Sequence, residues 1–419
     1  MEKLKEINLS KLVITCLFCI IPISFIIGKL IFEINILLII IAFIFSLNKK
    51  KFSEVFDKRE FLIFLILIIY LQFNTIISVD WQNSFIRNIF FFRFYILIIS
   101  FRYFFINDYF NSKVFRFWIL IIFITTFDIL YEFINGQNLL GFKSDYAHRI
   151  ASFFNDELIV SSFVFSLLIP LFSYLYLNKK YKLSLFFLLI SFIAIFFSGE
   201  RSVFFKMILA LTIIFYFWDY KNYLKKYVLL ISVCLLILSS LFISVNKYFK
   251  HQIDRYIFSI ERQISSNDNF SMRQNLLNTN YINQAVVTYE IVKKHPIFGV
   301  GNKNYYKSCR NYMKQNDKNY CFTHPHQVYY EIFSEHGILG AFLILTILIK
   351  LITLNNYKIK NKSNKKKLFI FGIYLYLSLI PLLPSGSFFS SNVSLLFWIN
   401  YFFYTYYRDL LIKRENLNN

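Results

Sequence analysis

The sequence predicts an all-α polytopic membrane protein of about twelve transmembrane helices, with one large, partly helical external loop between the ninth and tenth spans. Three observations predict it. Of 419 residues, 57% are hydrophobic and 21% aromatic, while only 17% are charged, and the mean hydropathy is +0.50. Apolar runs approaching the ~20 residues needed to cross ~30 Å of hydrocarbon recur throughout. Lys and Arg gather in short segments between alternate runs, from Lys3, Lys5 and Lys11 through Lys49 to Lys51, Arg102 to Arg116, Lys179 to Lys182, Lys221 to Lys226 and Lys358 to Lys367 to Arg408 and Arg414. That bias is the positive-inside rule. It accounts for most of the net charge of +22 and removes the case for a nucleic-acid partner.

In order, the expected spans are 12–28, 31–47, 61–79, 85–106, 114–134, 157–177, 183–198, 202–218, 227–245, 328–354, 368–384 and 389–407. An even number of spans places both termini in the cytoplasm, and residues 1–419 are read as a single integral-membrane domain. The basic N-terminus and the first apolar run look like a signal sequence without a small-x-small cleavage site, and so are read as an uncleaved anchor. The external face then receives 135–156, Gly199 to Arg201, the long loop 246–327, and 385–391.

Within the long loop, Phe249, Ile253, Ile257, Ile260 and Ile264 recur at helical spacing between charged residues, the pattern of an amphipathic helix lying on the membrane surface. Ser271 and Gln274 make a capping box that opens a second helix, which should stop before His295-Pro296. Gly299-Val300-Gly301 follows as a turn. Cys16, Cys19 and Cys234 lie in spans as small apolar side chains, whereas Cys309 and Cys321 share the external loop, where an oxidising compartment permits either a disulfide or two free thiols.

The chemically informative stretch is THPHQVYYEIFSEHGILG, where a polar loop becomes an apolar helix. His326 is expected in the first helical turn, where the positive end of the macrodipole favours the neutral base form. His324 and Pro325 would shape the helix entrance. Arginines near a membrane plane are costly and tend to share an anion. Arg201 sits at a tight external turn beside Glu200, Arg149 follows His148, and Arg273 falls in the first turn of its expected helix, where helix N-termini bind phosphate. Three external arginines converging on one diphosphate is the sharp reading, with Arg87 and Arg93 as weaker candidates. The chain has no zinc-spaced Cys/His cluster, no Gly-rich phosphate loop ending in Lys-Ser or Lys-Thr, no Gly-x-Ser-x-Gly elbow and no external Asp-x-Asp pair. The expected chemistry uses neither metal nor cofactor.

His326-Gln327, nine residues, then Gly337-x-x-Gly340 resembles the signature of the O-antigen ligase family, which belongs with O-antigen polymerases and bacterial protein O-oligosaccharyltransferases. Ser198-Gly199-Glu200-Arg201-Ser202 resembles that family's Ser-Gly-x-Arg-Ser turn, and His295-Pro296-Ile297-Phe298-Gly299-Val300-Gly301 its His-Pro-hydrophobic-Gly-x-Gly segment. The resemblance implies inverting glycosyl transfer on the periplasmic face of the bacterial inner membrane, from an undecaprenyl-diphosphate-linked glycan to an acceptor hydroxyl, without metal. It implies His326 as base, Arg201 and Arg273 on the donor diphosphate, and Arg149 with them. Ala151 to Glu157 departs from the family's Gly-x-Phe-x-Asn-Pro pattern after that arginine. A ligase would act on lipid A core, a polymerase on a second lipid-linked repeat, a protein glycosyltransferase on Ser or Thr. From another class, a flippase of lipid-linked sugars would show mid-membrane charges or internal repeats, and no repeat is visible.

Overall fold

A computed structural model describes residues 9–106, 108–144, 149–155, 157–217, 280–315, 321–381 and 383–418. Among them every regular element is helical and none is a strand. The helices are α1 (Leu9–Cys19), α2 (Ile21–Ile27), α3 (Lys29–Phe45), α4 (Lys49–Val55), α5 (Lys58–Ile76), α6 (Trp81–Ile89), α7 (Arg93–Phe105), α8 (Asp108–Asn135), α9 (Val160–Leu177), α10 (Tyr181–Ser198) and α11 (Arg201–Phe217). They continue as α12 (Asn280–Lys294), α13 (Tyr305–Gln315), α14 (Val328–Thr353), α15 (Lys362–Phe371), α16 (Ile373–Ser378) and α17 (Ser391–Asn418). The chain is a multi-pass membrane protein. Among the described residues six stretches are long and apolar enough to cross a bilayer: 58–76, 81–105, 110–135, 160–177, 181–198 and 328–358. The ninth expected span, the amphipathic helix over 249–264, the capping box at Ser271 and His148 lie outside the described residues.

The first expected span is two helices, α1 and α2, with Pro22 near the start of the second. A short helical turn over Phe90–Phe92 joins α6 to α7. Side-chain caps fix several starts: Asp57 Oδ1 accepts from the Arg59 N–H at 2.9 Å, and Asn48 Oδ1 from the Lys50 N–H at 3.0 Å. α9 is apolar on all sides and 83% buried, which makes it the centre around which α8, α10 and α17 pack. α6 is the inverse of a soluble amphipathic helix. Its polar Ser84 and Asn88 are fully buried, whereas Trp81, Phe85 and Ile86 are exposed.

Chain connections sort into two ends. At one end Asn355 Nδ2 donates to Asp57 at 2.8 Å, Asn356 Nδ2 to the Tyr404 hydroxyl at 2.8 Å, and the Lys360 N–H to Glu415 at 2.9 Å. The buried Arg102–Glu60 pair, with Tyr401 and Thr405, belongs to this end. Elsewhere the connecting loops are tied by Val79 N–H to Val300 O at 3.0 Å, Ile150 N–H to Ser198 O at 3.0 Å and Ser385 N–H to His326 O at 2.8 Å, and the candidate residues lie on or beside these loops.

Candidate functional site

The site is built on a break in α14. Gly337 interrupts the helix with φ +65° and ψ −169°, so the backbone groups around it need new partners. Segment 295–301 supplies them: Ile338 N–H donates to Pro296 O at 2.8 Å and Leu339 N–H to Ile297 O at 3.1 Å, while Val300 N–H donates to Ser334 O at 3.0 Å and Gly301 N–H to Glu335 O at 2.9 Å. The approach leaves no room for side chains. A β-carbon on Gly337 would lie 2.6 Å from the Gly299 nitrogen, and one on Gly299 would lie 2.6 Å from the Gly337 nitrogen. At Gly301 a β-carbon would strike Ser78, and at Gly340 the Tyr70 hydroxyl. The two glycine-bearing motifs of the sequence are therefore one structural unit, and α12 ends at Lys294, directly before His295-Pro296, as expected.

Buried asparagines stitch this unit to the α5–α6 corner. Asn74 Nδ2 donates to Phe298 O (3.2 Å) and Glu335 O (3.3 Å), and its Oδ1 accepts from the Asn302 N–H at 2.9 Å. Asn302 Nδ2 donates to Asn88 Oδ1 at 2.6 Å, and Asn88 Nδ2 to Leu71 O at 2.7 Å. In hydrocarbon an unsatisfied amide is expensive, so a network of this kind, in which Asn302 Oδ1 still lacks a partner, favours one arrangement of the four segments.

His326 lies one residue before the N-cap of α14, not in its first turn. Gln327 is the cap, its Oε1 accepting from the Tyr330 N–H at 2.7 Å, and His326 takes a left-handed φ of +48°. Burial holds the His326 imidazole below its ordinary pKa, so it stands as a neutral base at neutral pH. Its ring contacts His324 with centroids 4.1 Å apart and Phe322 at 5.1 Å. Burial, then His326 and Arg87, drive His324 down to about 4.

Two buried carboxylates, four residues apart on α14, hold the surrounding loops. Glu331 accepts from the Phe388 N–H at 2.6 Å and from the Ser387 hydroxyl, while the Ser385 N–H donates to the His326 carbonyl at 2.8 Å. Loop 385–388 is thus fastened both to His326 and to the helix it precedes. Glu335 accepts from the Lys303 N–H at 2.8 Å and the Tyr305 N–H at 3.2 Å, which caps α13. A disulfide joins Cys309 of α13 to Cys321, three residues before His324. Cys309 packs with Val287, Ile291, Val300 and Tyr305 in a small separate core.

The arginine corner is organised in the same way. Gly199 ends α10 in a left-handed turn (φ +80°), and Arg201 is the first residue of α11. The Ile150 N–H donates to Ser198 O at 3.0 Å, which brings Arg149 onto this turn. Glu200 accepts from the Ser161 N–H at 2.9 Å and the Ser162 hydroxyl at 3.1 Å. Burial raises its carboxyl to about 7, against the Ser161 and Ser162 hydrogen bonds and the charge of Arg149. Both Arg149 and Arg201 are exposed. Asp128 accepts from the Leu139 N–H at 2.7 Å and the Ser152 hydroxyl at 2.5 Å, and Glu132 accepts from the Ser152 N–H at 2.7 Å, fastening the loop that carries Arg149.

Of the sequence candidates, the structure unites Gly299 and Gly301 with Gly337 and Gly340 of α14, the helix that His326 and Gln327 precede, and separately brings Arg149 to the turn of Glu200 and Arg201. Arg273 lies outside the described residues. Sequence reasoning missed Asp128, Glu132, Glu331, Glu335 and the asparagine network. The available signal was the repeated four-residue spacing of acids inside apolar helices. Among the described residues no three His, Cys, Asp or Glu side chains gather to hold a metal ion. Residues 186–345 match the family model described as O-antigen ligase, a stretch that holds the Arg201 turn, the 295–301 segment and His326 through Gly340. No curated protein matches the chain.

Proposed function

The chain belongs to the O-antigen ligase family, and from that premise we propose that it moves a glycan from undecaprenyl diphosphate to a hydroxyl of lipid A core on the periplasmic face of the bacterial inner membrane. The carrying observation is the neutral, half-buried imidazole of His326 at the loop-to-helix boundary of α14, the helix whose break segment 295–301 completes. In this reading twelve spans place both termini in the cytoplasm.

The chemistry asks little of the protein beyond charge and alignment. His326 takes the proton of the acceptor hydroxyl as that oxygen bonds to the anomeric carbon. The bond from that carbon to the diphosphate oxygen breaks on the opposite face, the configuration inverts, and undecaprenyl diphosphate leaves. Arg201 and Arg149, with Arg273, neutralise the charge that develops on the leaving group, for which the permanently charged, forked guanidinium is suited. No metal or cofactor enters any step. Transfer with purified donor and acceptor in proteoliposomes, without nucleotide, tests the reading. A deletion strain that accumulates unligated polymer supports the ligase over the polymerase, and one that keeps single repeats attached to lipid A core reverses that choice.

A further inference from the structure

Basic residues at the loop end of the helices fall into two kinds. Some are paired: Arg93 donates to Glu33 at 3.0 Å and to Ser391 at 3.2 Å, and Lys307 contacts Asp80 at 2.9 Å. Others are not. Among the described residues the half-buried Arg87 guanidinium donates no hydrogen bond and touches no carboxylate, and the exposed Lys303 and Lys29 ammonium groups have no ion-pair partner.

Arg87 and Lys303 lie on neighbouring segments. Arg87 precedes Asn88 and Lys303 follows Asn302, and the two asparagines are hydrogen-bonded at 2.6 Å, so the basic side chains flank one buried contact. The Lys303 backbone is locked by Glu335, and its left-handed φ of +69° fixes where the side chain leaves the turn. Burial, then the charges of Arg87 and Lys29, depress the Lys303 ammonium against the opposing charge of Glu335. The cluster borders the imidazole pair, since the charge of Arg87 is felt at His324, whose ring contacts His326. The buried His324 Nε2 has no partner. The carboxylates that feel the charge of Arg87, Glu331 and Glu335, spend their oxygens on the Phe388, Ser387, Lys303 and Tyr305 donors rather than on an ion pair, so cations gathered at this membrane boundary leave room for an anion that a ligand supplies.

We propose that Arg87 and Lys303 form an anion subsite on the His326 side of the site, which holds a phosphate borne by the acceptor glycan. This rests on the reaction proposed above, and inversion decides the assignment. The base and the leaving diphosphate stand on opposite faces of the anomeric carbon, so an anion bound next to the base belongs to the acceptor. Arg149 and Arg201, on a separate corner, remain with the donor.

The test uses the full chain in nanodiscs, with phosphorylated lipid A–core glycolipid and the same glycolipid after dephosphorylation as probes. Binding, which needs no turnover, is measured by native mass spectrometry beside the transfer kinetics. Arg87→Gln and Lys303→Gln should each weaken binding of the phosphorylated probe about tenfold, the scale of one charge-assisted hydrogen bond. The KM for acceptor should rise by the same factor with the KM for donor unchanged, and Arg87→Lys and Lys303→Arg should restore most of both. The dephosphorylated probe should bind all forms equally weakly. Unchanged binding in the double Gln variant overturns the subsite. A change in donor KM alone, or an equal loss for phosphatidylglycerol, also overturns it by moving the anion to the donor or to a bulk lipid headgroup. If wild-type protein transfers nothing but binding follows the expected pattern, the subsite stands and the reaction falls.

Discussion

Gly299 and Gly337 meet backbone against backbone, each placed so that a β-carbon on one would lie 2.6 Å from the nitrogen of the other. Both adopt positive φ, +68° and +65°. The contact lets a loop segment finish the hydrogen bonding of the broken helix whose entrance carries His326.

Gly337→Ala and Gly299→Ala should therefore each cost more than the strain of a left-handed residue alone, about 1–2 kcal/mol. Gly136 supplies the comparison, with φ +73° and open space where a β-carbon would go. Thermal unfolding in detergent should show a larger loss for Gly299→Ala and Gly337→Ala than for Gly136→Ala. Equal losses would remove steric contact as the reason for the motif glycines.

Glu331 joins loop 385–388 to α14, so Glu331→Ala should release that loop without unfolding the bundle. Hydrogen exchange at Phe388 and Ser385 should accelerate, and transfer should fall by about tenfold, the scale of one hydrogen bond to a charged group. Protection that stays at the wild-type level would show that the loop is held by other contacts.

Glu200 makes a pH prediction with a definite sign. Its carboxyl keeps its proton to about pH 7 in the folded protein, against an ordinary value of 4.5. The stability it contributes is fully present below the ordinary value and is lost as pH rises through 7, a change of about 3 kcal/mol. The thermal midpoint should fall from pH 4 to pH 8, and Glu200→Gln should flatten that dependence. An unchanged slope in the variant would assign the pH effect elsewhere.

Helix positions were legible because apolar runs of membrane length have few alternatives, and the end of α12 was legible because Pro296 restricts the residue before it. His326 was expected in the first turn and lies one residue before the N-cap, since a sequence does not show whether His326 or Gln327 caps α14. Gly299 and Gly337 stood out as motif residues, but their contact joins segments about forty residues apart and needs the tertiary fold. The acids Asp128, Glu132, Glu331 and Glu335 were overlooked for a different reason. A carboxylate in an apolar run reads as a blemish until the loop N–H groups it accepts from are known.

The central claim is that His326 deprotonates the acceptor from a support made by the 295–301 segment and α14. Its most direct test is glycan transfer by reconstituted wild-type and His326→Ala protein from the same lipid-linked donor to the same acceptor. The account predicts a loss of about a hundredfold or more, the contribution of a general base, with the thermal midpoint unchanged. Near-wild-type transfer by a folded His326→Ala protein would contradict it.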